Sequence, residues 1–383
     1  MLSFLSVALL IYGAMHIYAL AKLWQVLPHS LQLGMALALF GLVMTISPLI
    51  LWQMAKHNWH SAAMVTSWVT YLWMGFLFLF CSIVLVFDAG GLLATMLGFK
   101  WHMTESMMLS TVGLLAISLL GYGFVEARQI HVEEIKITTP KLSQAIGRVT
   151  IAQLSDLHLG MMLGDEFLER VTALLRKIHP DIIVSTGDMI DGQGDDLDAM
   201  ARRFLTLQPP KGAFAIVGNH EYYAGLDNSL RFLRSAGFSV LRGEPVTAGG
   251  ITLAGVDDPG AVATGHEAAG GKALASASYG NFIVLLKHQP VVDRDARFDL
   301  QLSGHVHGGQ IFPFGMLTRL TYGVRTGLTQ LADGRLLYVS RGAGTWGPPI
   351  RIFARPEITL ITIESENKQS LVTQLPAGRQ GGQ

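Results

Sequence analysis

The sequence predicts an N-terminal all-α membrane domain of four transmembrane helices followed by an α/β domain, and three observations carry that reading. Charge is unevenly spread: of the 28 basic and 28 acidic residues, only Lys22, Lys56, Asp88, Lys100 and Glu105 precede Glu126. Four stretches in that first part are long and apolar enough to cross a bilayer, which takes about 20 residues each. Beyond it, strand and helix patterns alternate over a length sufficient for one large α/β core. The 383-residue chain is 50% hydrophobic and 15% charged, with mean hydropathy +0.39, too apolar for one ordinary soluble domain. The expected divisions are 1–125, 126–365 and a C-terminal tail, 366–383, whose last residues, Pro376 to Gln383, are Gly/Gln-rich. Net charge is zero, with no basic footprint after position 125, so no nucleic-acid partner is expected. One cysteine, Cys81, excludes an intrachain disulfide and a cysteine-zinc site.

The four spans are expected at Leu2 to Ala21, Leu31 to Trp52, Ala62 to Phe87 and Met107 to Val125. Ala19-Leu20-Ala21 resembles a signal-peptide cleavage site, but Met1-Leu2-Ser3 has no basic residue and further spans follow, so the first span is expected to be retained. Trp24, Trp52, Trp59, Trp73 and Trp101 fall mostly near span ends, where an indole suits the headgroup level. His16 is the one ionisable side chain expected well inside a span, and a packed histidine is favoured over a ligand. His57 and His60 form an H-x-x-H in the second connection, where an interfacial loop is favoured over a metal site. Lys56, Arg128, Lys136 and Lys141 against Lys22 and Lys100 lean the second half and both termini toward the cytoplasm of an inner-membrane protein.

After Glu126 the alternation Ile130, Val132, Ile135, Ile137 predicts a strand, and Val149 to Leu154 a second. Asp165 is expected to cap a helix carrying Phe167, Leu168, Val171, Leu174, Leu175 and Ile178, ended by Pro180. No long linker separates this half from the bilayer.

The later strands are informative for how they end. Ile151 to Ser155 runs into Asp156-Leu157-His158, Ile182 to Gly187 into Asp188, and Phe214 to Gly218 into Asn219-His220. Phe282 to Lys287 delivers His288, and Leu300 to Gly304 delivers His305-Val306-His307. Five buried strands thus present metal-capable side chains at their carboxyl ends, the edge where open α/β sheets bind ligands. Gly187, Gly218 and Gly304 precede them, as expected where the chain turns sharply. Residues i and i+2 of extended chain share a side, so Asp156 with His158, and His305 with His307, are each expected to converge. Carboxylate, amide oxygen and imidazole together suit Mn, Fe, Co, Ni or Zn rather than calcium. Seven such ligands exceed one tetrahedral ion and fit two, about 3.5 to 4 Å apart.

Asp156-x-His158, Gly187-Asp188-Met189-Ile190-Asp191, Gly218-Asn219-His220-Glu221, Lys287-His288-Gln289-Pro290 and Ser303-Gly304-His305-Val306-His307-Gly308-Gly309-Gln310 together resemble the ordered motifs of the calcineurin-like metallophosphoesterase superfamily. Ser340 to Gly347 and Pro356-Glu357-Ile358 resemble its membrane-associated YkuE/YaeI-like bacterial phosphodiesterase branch, so the resemblance covers about 149 to 363. It implies a domain of two packed β-sheets flanked by helices. It also implies that Asp156, His158 and His307 hold one divalent transition-metal ion and that Asn219, His288 and His305 hold a second, with Asp188 bridging. His220 would serve the leaving-group oxygen, oriented by Asp191. Val306 stands where the branch more often has Thr. Gly192 stands where the protein serine/threonine phosphatases have a phosphate-clamping Arg, which argues against that activity. The implied chemistry is attack by a metal-bridged hydroxide on a phosphodiester or pyrophosphate.

Gly342-Ala343-Gly344-Thr345-Trp346-Gly347 matches G-x-G-x-x-G, but Pro348-Pro349 forbid the helix a dinucleotide site needs, and a tight loop bordering the cleft is expected. Asp195, Asp196 and Asp198 are read as a solvated helix start rather than a calcium site. His179 and His266 receive no role. The leading expectation is a membrane-anchored dimetal phosphohydrolase whose partners are the bilayer and a phosphoester, lipid-linked or envelope-derived. A nucleotide-activated acylated-sugar pyrophosphatase of lipopolysaccharide assembly is a specific alternative. A catalytically silent membrane sensor or scaffold would lack a ligand, and a transporter would carry charges inside its spans.

Overall fold

A computed structural model describes residues 2–57, 59–100, 102–191, 197–266, 280–292 and 297–366. Trp101, Gly192, Asp195, Asp196 and the tail from 367 lie outside these residues. Four helices open the chain: α1 (Leu2–Trp24), α2 (Leu31–Lys56), α3 (His60–Met96) and α4 (Glu105–Glu126), each long and apolar enough to cross a membrane. The Ser30 hydroxyl accepts from Leu33 N at 3.2 Å, and that of Thr104 from Met107 N at 3.3 Å, satisfying donors that α2 and α4 leave open at their starts.

The structure lengthens the third span. At 1.5 Å per residue, the 37 residues of α3 reach about 55 Å, against a hydrocarbon core of about 30 Å. The helix continues past Phe87, where the span was expected to end, and Asp88 is paired across the bundle. Its Oδ1 meets Lys22 Nζ at 2.7 Å and its Oδ2 accepts from the Tyr18 hydroxyl at 2.8 Å. His16 is a packed histidine: Trp73 Nε1 donates to its Nε2 at 2.9 Å, and its Nδ1 lies 2.9 Å from the Tyr12 carbonyl. Trp73 therefore belongs to the bundle interior rather than to a headgroup belt.

The second half contains, among the described residues, β1 (His131–Thr139), β2 (Arg148–Leu154), β3 (Ile182–Ser185), β4 (Ala213–Ala215), β5 (Ser239–Val240), β6 (Val246–Ala248), β7 (Ile251–Gly255), β8 (Phe282–Leu286), β9 (Leu300–Ser303), β10 (Gly327–Gln330), β11 (Leu336–Val339) and β12 (Glu357–Ser365). They form two six-stranded sheets, ordered β1-β12-β2-β3-β4-β5 and β10-β11-β9-β8-β7-β6. β12 lies between β1 and β2, parallel to the first and antiparallel to the second. Side chains alternate across the strands. Ile151, Ile182 and Val184 face Leu253, Val284 and Leu302 of the other sheet. Ala152, Leu154 and Ile183 face outward, under α5 (Asp165–Ile178), α6 (Leu197–Leu205) and α8 (Leu226–Ser235), with the short α7 (Asn219–Tyr223) before α8. α5 opens after Gly164, which supplies no side-chain cap, so Asp165 is a first-turn acid and not the cap. Two further helices are α9 (Gly260–Ala263) and α10 (Phe314–Tyr322).

The two halves touch. Ile311, Ile350 and Ile352 are buried in one apolar cluster with Leu77 and Phe80 of α3 and Val112 and Ala116 of α4. Arg351 N donates to the Gly123 carbonyl at 2.9 Å, and Phe314 stacks on Phe78 at 4.7 Å. Gly75 permits the approach, since a Cβ there would lie 3.2 Å from Ile350 and 3.3 Å from Pro348.

Candidate metal centre

The carboxyl ends of β2, β3, β8 and β9 and the loop after β4 meet at one edge, and the backbone there is unusual. Asp156, His158, Asp188, His305 and His307 have φ of 54°, 50°, 53°, 71° and 49°, in the left-handed region that non-glycine residues rarely occupy. Strain of this kind is retained where surrounding structure enforces it, and it clusters at functional sites. It also corrects the extended-chain reading. Asp156 and His158 do converge, but His305 and His307 turn into different groups. The glycines are needed for closeness: a Cβ on Gly304 would collide with the Asp156 carboxylate, and one on Gly218 with that of Asp188.

Two clusters form side by side. Asp156, His158 and His307 bring ligand atoms together, and Asp188, His288 and His305 do the same. In the first, His158 Nε2 lies 3.0 Å from His307 Nε2, and His307 Nε2 lies 3.6 Å from Asp156 Oδ1. In the second, His288 Nε2 lies 3.1 Å from Asn219 Oδ1, from His305 Nδ1 and from Asp188 Oδ2. The same Asp188 oxygen is 3.9 Å from His158 Nε2 in the first cluster, while Asp188 Oδ1 accepts from His220 N at 2.9 Å.

The donor chemistry fits cations. His158 Nδ1 lies 2.7 Å from Asp191 and His288 Nδ1 lies 2.8 Å from the Thr186 carbonyl. Both partners only accept, so each ring keeps a proton on Nδ1 and turns its Nε2 into the cluster. His305 Nε2 is held by the Tyr322 hydroxyl at 2.8 Å, which leaves Nδ1 facing inward. Burial, with the charge of His288 next, lowers the His305 pKa to about 3, and the neutral ring is the ligating form. Burial alone would favour a protonated Asp188, yet the imidazoles of His288 and His220 hold it well below the usual carboxylate range. Carboxylate and imidazole atoms converging in this way form a ligand set suited to a divalent ion.

Beside the clusters, His220 Nδ1 lies 2.8 Å from Asp191 Oδ1, the oxygen that also holds His158. Burial opposes charge on His220, but Asp188 and Asp191 outweigh it and raise its pKa to about 9, favouring imidazolium. All nine residues singled out from the sequence are thus in one place: Asp156, His158, Asp188, Asp191, Asn219, His220, His288, His305 and His307.

Sequence reasoning missed three supporting residues. Glu221 is fully buried and accepts from the backbone N of Gly218, Asp188 and Met189 at 2.7, 2.9 and 2.7 Å, tying two motif loops together. Arg351 is fully buried and donates to the carbonyls of Gly344, His307 and Ala354. Tyr322 is the third. Glu221 stood inside a motif, but Arg351 and Tyr322 gave no spacing signal.

Other readings resolve simply. Gly342 to Gly347 opens no helix, and Ala343 N and Gly344 N donate to the carbonyls of Ser155 and Asp156 at 3.1 and 2.9 Å, bordering the cleft. His131, Glu133 and Glu357 cluster, but Arg341 already supplies their cation. His57 and His60 belong to no candidate cluster among the described residues.

Comparison with known proteins agrees with this geometry. The model of the calcineurin-like phosphoesterase family matches residues 149–309. An uncharacterized metallophosphoesterase of Aquifex aeolicus is 39% identical over 258 residues, which are 66% of this chain and 98% of that one. A transmembrane protein with metallophosphoesterase domain from Danio rerio is 33% identical over 260 residues, 63% of this chain and 60% of the other. The uncharacterized metallophosphoesterase YkuE of Bacillus subtilis is 34% identical over 267 residues, 64% and 91% respectively.

Proposed function

This chain belongs to the calcineurin-like metallophosphoesterases, and from that membership we propose that it is a membrane-anchored dimetal phosphohydrolase cleaving a phosphodiester or pyrophosphate of a lipid-linked substrate. The observation that carries the two-ion reading is Asp188 Oδ2, placed between His288 Nε2 at 3.1 Å and His158 Nε2 at 3.9 Å. Asp156, His158 and His307 would hold one ion, Asn219, His288 and His305 the other, and Asp188 both. Bound there, two divalent ions would activate water and neutralise phosphoryl charge.

The chain's own groups do the rest. Asp191 fixes His220 through Nδ1, leaving the other ring nitrogen to protonate the departing oxygen. Asp191 also orients His158, so one carboxylate serves both ion retention and proton transfer. A lipid-linked substrate is supported by the seating of the cleft loops on α3. Tyr71 of that helix lies 4.0 Å from the position of a Cβ on Gly347. An acylated-sugar pyrophosphate would satisfy the same geometry. The surplus of lysine and arginine on the catalytic side supports a cytoplasmic cleft.

Chelator-free anaerobic purification of the full chain, metal reconstitution and elemental analysis test the reading. Close to two transition-metal ions per chain are expected, with hydrolysis in a panel of phosphomonoesters, diesters, pyrophosphates and phospholipids. Stoichiometry near zero would remove the catalytic proposal.

A further inference from the structure

The loop that carries His305 and His307 continues into α10, and the polarity of this helix is inverted for a protein in water. Gly315, Thr318 and Tyr322, spaced three and four apart on one face, are half-buried against the domain. Met316, Leu317 and Leu320 on the opposite face are 65, 56 and 82% exposed, and no residue of α10 is buried. A helix that turns small and polar residues inward and large apolar ones outward has an apolar solvent.

That solvent is adjacent. Phe314, the first residue of α10, stacks on Phe78 of the membrane-spanning α3, and Ile311 is buried among α3 and α4 side chains. Exposed Phe312 and Phe353 lie close together, and Phe353 also neighbours exposed Tyr122 near the end of α4. The outward face of α10 therefore continues the apolar surface by which α3 and α4 meet the bilayer. Behind the helix lies a cavity of about 270 Å³, lined by Val306, Gly308, Gly315, Thr318, Arg319 and Arg325. Among the described residues neither arginine pairs with a carboxylate, and each offers a guanidinium suited to phosphate.

We propose that α10 is an interfacial helix that inserts Met316, Leu317 and Leu320 among the lipids of the membrane spanned by α1–α4, while Arg319 and Arg325 grip the phosphate of an anionic lipid headgroup in the cavity behind it. This is a second membrane contact, made by the catalytic domain itself. Because Tyr322 of α10 holds His305, the contact reaches the candidate metal centre in one hydrogen bond.

The test uses the full chain in vesicles, with Cys81→Ser and a single fluorescent label at Leu320→Cys or, as a control, at Ala145→Cys on the exposed loop before β2. The Leu320 label is expected to be quenched by acyl-chain spin-labelled lipid and shielded from aqueous iodide, and the Ala145 label to show the reverse. Equal iodide quenching at the two sites would overturn the insertion, whatever the activity or ion content of the preparation. Spin-labelled phosphatidylglycerol should quench the Leu320 label at least twofold better than spin-labelled phosphatidylcholine. The preference should vanish in Arg319→Gln/Arg325→Gln and survive millimolar inorganic phosphate. Loss of the preference to inorganic phosphate, or its persistence in the double variant, would overturn the headgroup assignment.

Discussion

At the scale of single residues, one carboxylate oxygen shared by His158 and His220 changes how variants should behave. Asp188→Asn is expected to lower ion content and turnover together, because its Oδ2 faces both clusters. His220→Gln is expected to keep both ions and lose roughly 10²-fold or more in turnover, with a smaller loss on good leaving groups. Asp191→Asn should fall between them, losing turnover as His220→Gln does and also loosening ions by about 10- to 100-fold, the scale for a disturbed histidine partner. Elemental analysis beside kinetics on two leaving groups separates the three. An Asp191→Asn protein with undiminished ion affinity would show that the contact to His158 is idle. The positions of these residues were legible because carboxylate and imidazole stand out at the ends of apolar runs, whereas the roles given to them come from the family resemblance. Arg351 and Tyr322 were not, because their partners are backbone carbonyls and a ring brought near only by folding.

At the scale of elements, the strand ends were readable because each buried strand is a short apolar run stopped by glycine and a polar residue. The insertion of β12 between β1 and β2 was not, since its pairing with two strands more than two hundred residues away leaves no local trace. The left-handed residues were equally hidden, because spacing alone suggested extended chain for both histidines of the last motif. Glycine at those ends has a measurable consequence. Gly304→Ala places a Cβ against Ser155 and Asp156, and it is expected to destabilise the fold by about 1–3 kcal/mol and to reduce ion content. Gly113→Ala, in α4 with nothing near the new methyl, is the matched control and should be neutral or slightly stabilising. Thermal unfolding of both variants in the same detergent, with elemental analysis, makes the comparison. Equal ion content in the two would mean that the strand-end glycines serve only chain turning.

At the scale of the whole molecule, the four spans announced themselves by composition, but the length of α3 and its contact with the catalytic loops did not. The span was expected to end at Phe87, and the partners of the next residue, Asp88, are Lys22 and Tyr18 on another helix. The contact matters because Ile350, Pro348 and Phe314 rest on α3 itself, so the cleft is held at the bilayer by packing as well as by the chain link at Glu126. A water-soluble substrate gains nothing from such confinement, whereas a lipid-linked one gains effective concentration. Gly75→Leu would wedge a side chain between α3 and the Pro348–Ile350 segment, where even a Cβ meets neighbours at 3.2 to 3.4 Å. The variant is expected to keep its ions and its turnover of a small chromogenic diester while losing severalfold in the hydrolysis of an amphiphilic phosphodiester or pyrophosphate in vesicles. Parallel losses on both substrates would point to simple damage of the catalytic domain. Unchanged activity on both would mean that the seat on α3 sets location only and that substrate reaches the cleft without it.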